Sequence, residues 1–166
     1  IALEGMETCR QCCGGNGYSA YSAFPGMIQD FSVQCTWEGD NTVLMLQSGR
    51  YLIGCYREWK GGKSKLPQGV DYLNRLPGVL IGKSNGNLCC PNDLKLAFDV
   101  VRANLVKAAY EDWQLAKEQG KSEEMAYEAC ALSRSEAAKF HCFGLLFEKM
   151  NASIEGEESL AENAAV

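Results

Sequence analysis

The sequence predicts an all-α protein built as a helical bundle. Three observations carry that expectation. Apolar residues step by three and four along several long stretches, no stretch alternates apolar and polar residues with period two, and Gly or Pro clusters punctuate the stretches. Each apolar stripe at helical spacing must be buried against another helix, and a bundle is the simplest way to do so. With 166 residues, 46% of them hydrophobic, the chain is long enough for one real core. It opens without Met and inside a helix-forming run, so it is expected to be a piece of a longer protein, incomplete at both ends.

Residues 2 to 13 read as the end of a helix stopped by Gly14-Gly15-Asn16-Gly17, and a loop is expected from there to Pro25. Pro25 suits the first turn of a short helix through Met27, Ile28 and Phe31. From Asn41 to Trp59 the apolar positions Val43, Leu44, Leu46, Tyr51, Leu52 and Cys55 predict a long helix, ended by Gly61-Gly62. Residues 1 to 60 therefore form the first segment. Residues 61 to 92, rich in Gly, Pro, Asn and Lys, are expected to connect, with a short helix near Val70 to Leu76. Residues 93 to 150 read as a helical hairpin. Leu94, Phe98, Val101, Leu105, Ala109 and Trp113 mark one helix; Ala126, Cys130, Ala137, Phe140, Gly144 and Phe147 mark the other. Gly120 separates them, and Ser122 with Glu123 and Glu124 supplies an N-cap and an acidic first turn. Residues 151 to 166 form an acidic tail, expected to be solvated or frayed.

Composition excludes several classes of function. A formal charge of −5 offers no broad cationic surface for a phosphate backbone, so no nucleic-acid partner is expected. No apolar run is long enough to span a bilayer. The nine cysteines sit among helix-forming residues, which points to reduced thiols. Cys9 and Cys12 form a CxxC that Cys89 and Cys90 could complete to four zinc ligands, but structural zinc usually shows two well-spaced pairs, and no metal is expected. No βαβ pattern surrounds the CxxC, so a thioredoxin-like site is not expected either. His141 and Cys142 are adjacent, and adjacent helical residues point in different directions, which argues against a nucleophile pair. Lys60, Lys63 and Lys65 read as a solvated cluster.

The chemistry lies between Glu7 and Tyr51. Gln11 is followed by Cys13-Gly14-Gly15-Asn16-Gly17-Tyr18; Trp37-Glu38-Gly39 comes a little over twenty residues later; Asp40-Asn41-Thr42-Val43 then leads to Leu46-Gln47. In this order and spacing the three motifs resemble the acyl-CoA oxidase and dehydrogenase superfamily, and the third resembles its oxidase branch. Asp71 to Pro77, Ser135-Glu136-Ala137 and His141-Cys142 also look like the oxidase C-terminal helical region. Any one motif alone is weak: a lone Gly-Gly-x-Gly usually just stops a helix.

The resemblance implies a flavoprotein that converts fatty acyl-CoA and O2 to trans-2-enoyl-CoA and H2O2, with FAD as cofactor, a homodimer formed through the helical domain, and a peroxisomal location. It implies Glu38 as the catalytic base, Trp37 and Gly39 as substrate contacts, and Gln11, Gly14, Gly15, Asp40 and Asn41 as cofactor contacts. Elementary chemistry agrees on Glu38, because the reaction needs a base beside the thioester carbonyl, and a carboxylate shut away from water is a stronger one. Oxidases of the family usually carry His where this chain has Asn16, and many carry Phe or Tyr where it has Trp37. The preceding parts that enclose the flavin and the acyl chain are missing, so this segment alone is expected to be inactive. An acyl-CoA dehydrogenase passing electrons to a flavoprotein, or a non-catalytic structural subunit derived from an oxidase, are the alternatives.

Overall fold

The computed structural model describes residues 2–62, 65–75 and 90–164, with the side chains of Glu155 and of 157–164 left aside. Lys63, Leu76, Pro77 and Cys89, named above, lie outside the described residues. All regular elements among the described residues are helical, and they fall into two compact units, Ile1–Leu44 and Met45–Val166.

The first unit contains α1 (Ala2–Cys12), α2 (Phe24–Ser32) and the start of α3 (Asn41–Lys60). The loop expected between Gly14 and Pro25 is instead wound into two 3-10 turns, Gly14–Tyr18 and Ala20–Ser22. The tightening begins at Cys13, whose N–H is shared between the carbonyls of Cys9 and Arg10. Hydroxyls then sustain it: the Ser19 oxygen accepts from the Tyr21 N–H, and Ser22 donates to the Ser19 carbonyl. Pro25 stands in the first turn of α2, as expected. A further 3-10 turn, Val33–Cys35, follows. Gly17 is the one fully buried residue among those described in this unit.

The second unit holds the core. Beyond the rest of α3 it contains a 3-10 turn, Asp71–Arg75, where the short helix was expected, then α4 (Pro91–Glu118), α5 (Glu123–Ala129) and α6 (Ala131–Ala164). Leu52, Ile53 and Tyr56 of α3 pack with Tyr72 and Leu73, with Ala103, Val106, Ala109, Tyr110 and Trp113 of α4, and with Ala137 and Ala138 of α6. A row of rings runs through this core: Tyr56 to Tyr110 at 5.0 Å, Tyr110 to Trp113 at 5.9 Å, Trp113 to Tyr127 at 5.9 Å. Arg57 and Lys60 of α3 lie over Trp113 and Tyr110, so Lys60 is stacked rather than simply solvated.

Lys95 binds Glu148, Phe98 stacks on Phe147 and the Arg102 side chain lies against Gly144, so contacts descend along α6 as α4 rises and the two helices run antiparallel. Between them Arg102, 1% exposed, reaches Asp99 at 2.5 Å and Glu148 at 2.6 Å and covers the Tyr72 ring at 3.9 Å. Tyr72 in turn shares a hydrogen bond of 3.1 Å with His141 Nδ1. Two readings of the C-terminal region change. The helix expected to run unbroken from Ala126 to Phe147 divides at Cys130, which leaves the helical conformation at φ −101, ψ 21. The acidic tail continues α6 to Ala164, in keeping with its Ala, Glu and Leu content.

Candidate functional site

Gln11, Gly14, Gly15, Trp37, Glu38, Gly39, Asp40 and Asn41 all lie in the first unit. At the end of α1, Arg10 donates to Glu7 through Nε at 2.7 Å and Nη2 at 2.5 Å, and Gln11 Nε2 donates to the same carboxylate at 2.9 Å. The hydrogen bonds from Arg10, then Gln11, hold Glu7 down at about 2. Glu7 thereby takes up the amide nitrogen of Gln11 and leaves the amide oxygen as an acceptor. Gly14 and Gly15 are exposed, and a Cβ on either would meet nothing within 4 Å, so another group can approach that backbone freely. Gly17 is different: a Cβ there would lie 2.1 Å from the Arg10 carbonyl oxygen, so only glycine lets the turn fold back on α1.

The second motif occupies the turn between the Val33–Cys35 turn and α3. The Trp37 backbone N–H bonds the Val33 carbonyl and the Gly39 N–H bonds that of Thr36. Gly39 has φ +124, which L side chains rarely adopt, and a Cβ there would meet the Leu44 side chain at 3.2 Å. Trp37 is 63% exposed, and its indole Nε1 donates to Gln34 Oε1 at 3.0 Å. Glu38 projects into solvent, and among the described residues no hydrogen bond or ion pair engages its carboxylate. Asp40 has a structural duty: its Oδ1 accepts from the N–H groups of Thr42 at 2.9 Å and Val43 at 3.2 Å, capping α3, whose first residue is Asn41. The turn therefore presents an unengaged carboxylate beside an aromatic wall whose one polar group is already satisfied.

Glu7, Arg10 and Gln34 were not foreseen from the sequence. Their only signal is spacing: Glu7 to Arg10 and Gln34 to Trp37 are three apart, Glu7 to Gln11 four, the separations at which side chains meet on a helical surface. His141 and Cys142 lie in the second unit. Burial, reinforced by the Arg102 charge, pushes His141 down to about 4, so its ring is neutral near pH 7, and burial raises the Cys142 thiol. Among the described residues no group of three or more His, Cys, Asp or Glu is arranged to hold a metal ion, and no helix is long and apolar enough to cross a membrane.

Comparison with known proteins covers both units. A family model for the acyl-CoA oxidase C-alpha1 domain matches residues 1–53, and one described as acyl-CoA oxidase matches residues 90–166. The chain belongs to the acyl-CoA oxidase family. It is 36% identical over 137 residues to acyl-coenzyme A oxidase 2 of Yarrowia lipolytica, covering 82% of this chain and 19% of that protein. Human peroxisomal acyl-coenzyme A oxidase 1 is 34% identical over 148 residues, 85% of this chain and 22% of that one. Among solved structures, acyl-CoA oxidase 3 of Yarrowia lipolytica superposes with a TM-score of 0.78 at 35% identity, over 91% of this chain and 22% of that one. An acyl-CoA oxidase-2 of Caenorhabditis elegans, crystallised with FAD, ascaroside-CoA and ATP, superposes with a TM-score of 0.71 at 29% identity, over 87% of this chain and 21% of that one. The acyl-CoA oxidase chain described here thus spans about a fifth of the length of the curated relatives it matches.

Proposed function

We propose that the complete protein carrying this chain is a flavin-dependent acyl-CoA oxidase of fatty-acid β-oxidation, with Glu38 as its base. The observation that supports this reading is the unengaged Glu38 carboxylate beside Trp37, inside the stretch matched to the oxidase C-alpha1 domain. A base must have its oxygens available to the substrate, and every neighbouring polar group with another duty is already paired. Glu38 takes the proton from the carbon next to the thioester carbonyl. Bound FAD would supply the hydride acceptor for the following carbon, to be reoxidised by O2, so that acyl-CoA plus O2 would give trans-2-enoyl-CoA plus H2O2.

The residues present fit FAD. Gly14 and Gly15 leave the turn backbone open, Gln11 offers its amide oxygen, and Asn41 stands exposed at the start of α3. Asp40 fixes that helix start through Oδ1, and its Oδ2, which takes no part in the cap, stays available to the cofactor. Trp37 gives the fatty acyl-CoA an apolar surface, and Gly39 lets the turn present Glu38 at all. The family further suggests a peroxisomal location, as the human relative's name states for that protein, and a homodimer through the helical unit.

The test is turnover of the full-length protein with Glu38→Gln. Peroxide formation should fall by about 10³-fold, the order of magnitude of a general base, while bound flavin stays. Retained turnover removes Glu38 from its role. Reduction of an electron-transferring flavoprotein without peroxide would make the protein a dehydrogenase, and absence of bound flavin would leave a structural subunit.

A further inference from the structure

We infer that Gln34 is a positioning residue for substrate binding: it satisfies the Trp37 indole N–H in advance, so that the ring can be covered by an acyl thioester as a purely apolar wall. The inference rests on the oxidase reading above and deepens it at the same turn. An indole carries one donor and no acceptor. When a substrate that offers no acceptor at that point covers the ring, an unpaired N–H must give up its water without replacement, which weakens binding. In this chain that loss is avoided locally. Gln34 Oε1 accepts the N–H at 3.0 Å within the segment that builds the turn, where the Trp37 backbone is itself tied to Val33.

Two further features favour a role in binding. Trp37 is 63% exposed while Glu38, one residue on, has no partner among the described residues, so both await the same covering group. The hydrogen bond also fixes the indole in one orientation. A wide indole free to rotate next to a base would otherwise have to be ordered when substrate binds. Nothing in the bond acts on the reacting carbon, so its contribution is uniform binding, which is read in KM rather than kcat.

The experiment uses the full-length flavin-loaded protein and steady-state kinetics with a saturated straight-chain acyl-CoA. Gln34→Ala should raise KM about fivefold to tenfold and change kcat by less than about twofold, as expected for loss of one neutral hydrogen bond in binding. In a Trp37→Phe background, where no indole donor exists, Gln34→Ala should leave KM unchanged. Flavin content and the thermal midpoint of Gln34→Ala should match the parent, since the residue is exposed. An unchanged KM in the first variant, or an equal rise in both backgrounds, overturns the inference. Glu38→Gln assayed alongside separates the two claims: if it abolishes turnover while Gln34→Ala is silent, only the positioning role fails; if it retains turnover, the assignment of the base fails first.

Discussion

His141 is the one histidine of the chain, and its environment makes the stability of the second unit pH-dependent in a window where few other groups change charge. Its Nδ1 shares a hydrogen bond with Tyr72 under the Arg102 guanidinium, and burial, then the Arg102 charge, push it from 6.5 to about 4, with Glu148 acting the other way. The sign follows directly. Since the folded chain resists protonation of the ring, the unfolded chain takes up the proton first. The stabilisation is complete above about pH 6.5, falls as pH drops, and is exhausted below about 4. At about 1.4 kcal/mol per pH unit, moving from pH 7.5 to 5 should remove about 2 kcal/mol. Glu148, whose carboxyl burial raises but Lys95 and Arg102 lower below its ordinary value overall, loses its charge at lower pH and falls outside that window. Urea unfolding of the 166-residue chain, followed by far-UV circular dichroism at several pH values, measures the loss. His141→Gln should flatten the profile between pH 7.5 and 5. A flat profile in the parent, or the same slope in the variant, refutes the placement of a buried neutral histidine beside Tyr72.

Asp40→Ala removes the acceptor for two N–H groups at the start of α3 and should lower stability by about 1 kcal/mol, read as a lower urea midpoint at unchanged slope. Arg102→Met takes the buried cation from Asp99, which is 3% exposed, and from Glu148, and leaves Asp99 only the half-exposed Arg75 at 3.3 Å; thermal unfolding should show a loss of about 3 kcal/mol, much of it from the weakened pairing of the buried Asp99 carboxylate.

The helices of the second unit were largely legible because their apolar residues keep one period. Leu105, Ala109 and Trp113 of α4 and Leu52 and Cys55 of α3 do face the core or its margin. The division at Cys130 was not legible, since no Gly or Pro marks it. Tyr127 is drawn both to Trp113 and to the guanidinium groups of Arg50 and Arg134, a tertiary demand that local sequence does not announce. Nor was Arg102 readable as buried: Asp99 stands three residues before it on the same helix, but Glu148 and Tyr72 come from distant stretches of chain. At the candidate site the motifs named Glu38, Gly39 and Gln11; the Asp40 cap was readable from an Asp just before a helix starting at Asn41 but was missed, and nothing in the motifs revealed that Gln34 holds the indole. The Gln34 bond depends on the 3-10 turn Val33–Cys35, which apolar periodicity does not record.

Gly17 being alone in its full burial among the described residues of the first unit has a consequence for how that unit tolerates change. Apart from Gly17, Gly39 and the Asp40 cap, a region with almost no interior places little internal restraint on amino-acid replacement. Tyr18, Tyr21 and Trp37 stand outward, so the restraint on their identity comes from whatever they meet, and swapping them for small polar residues should leave the fold of this unit almost untouched while altering what it can hold.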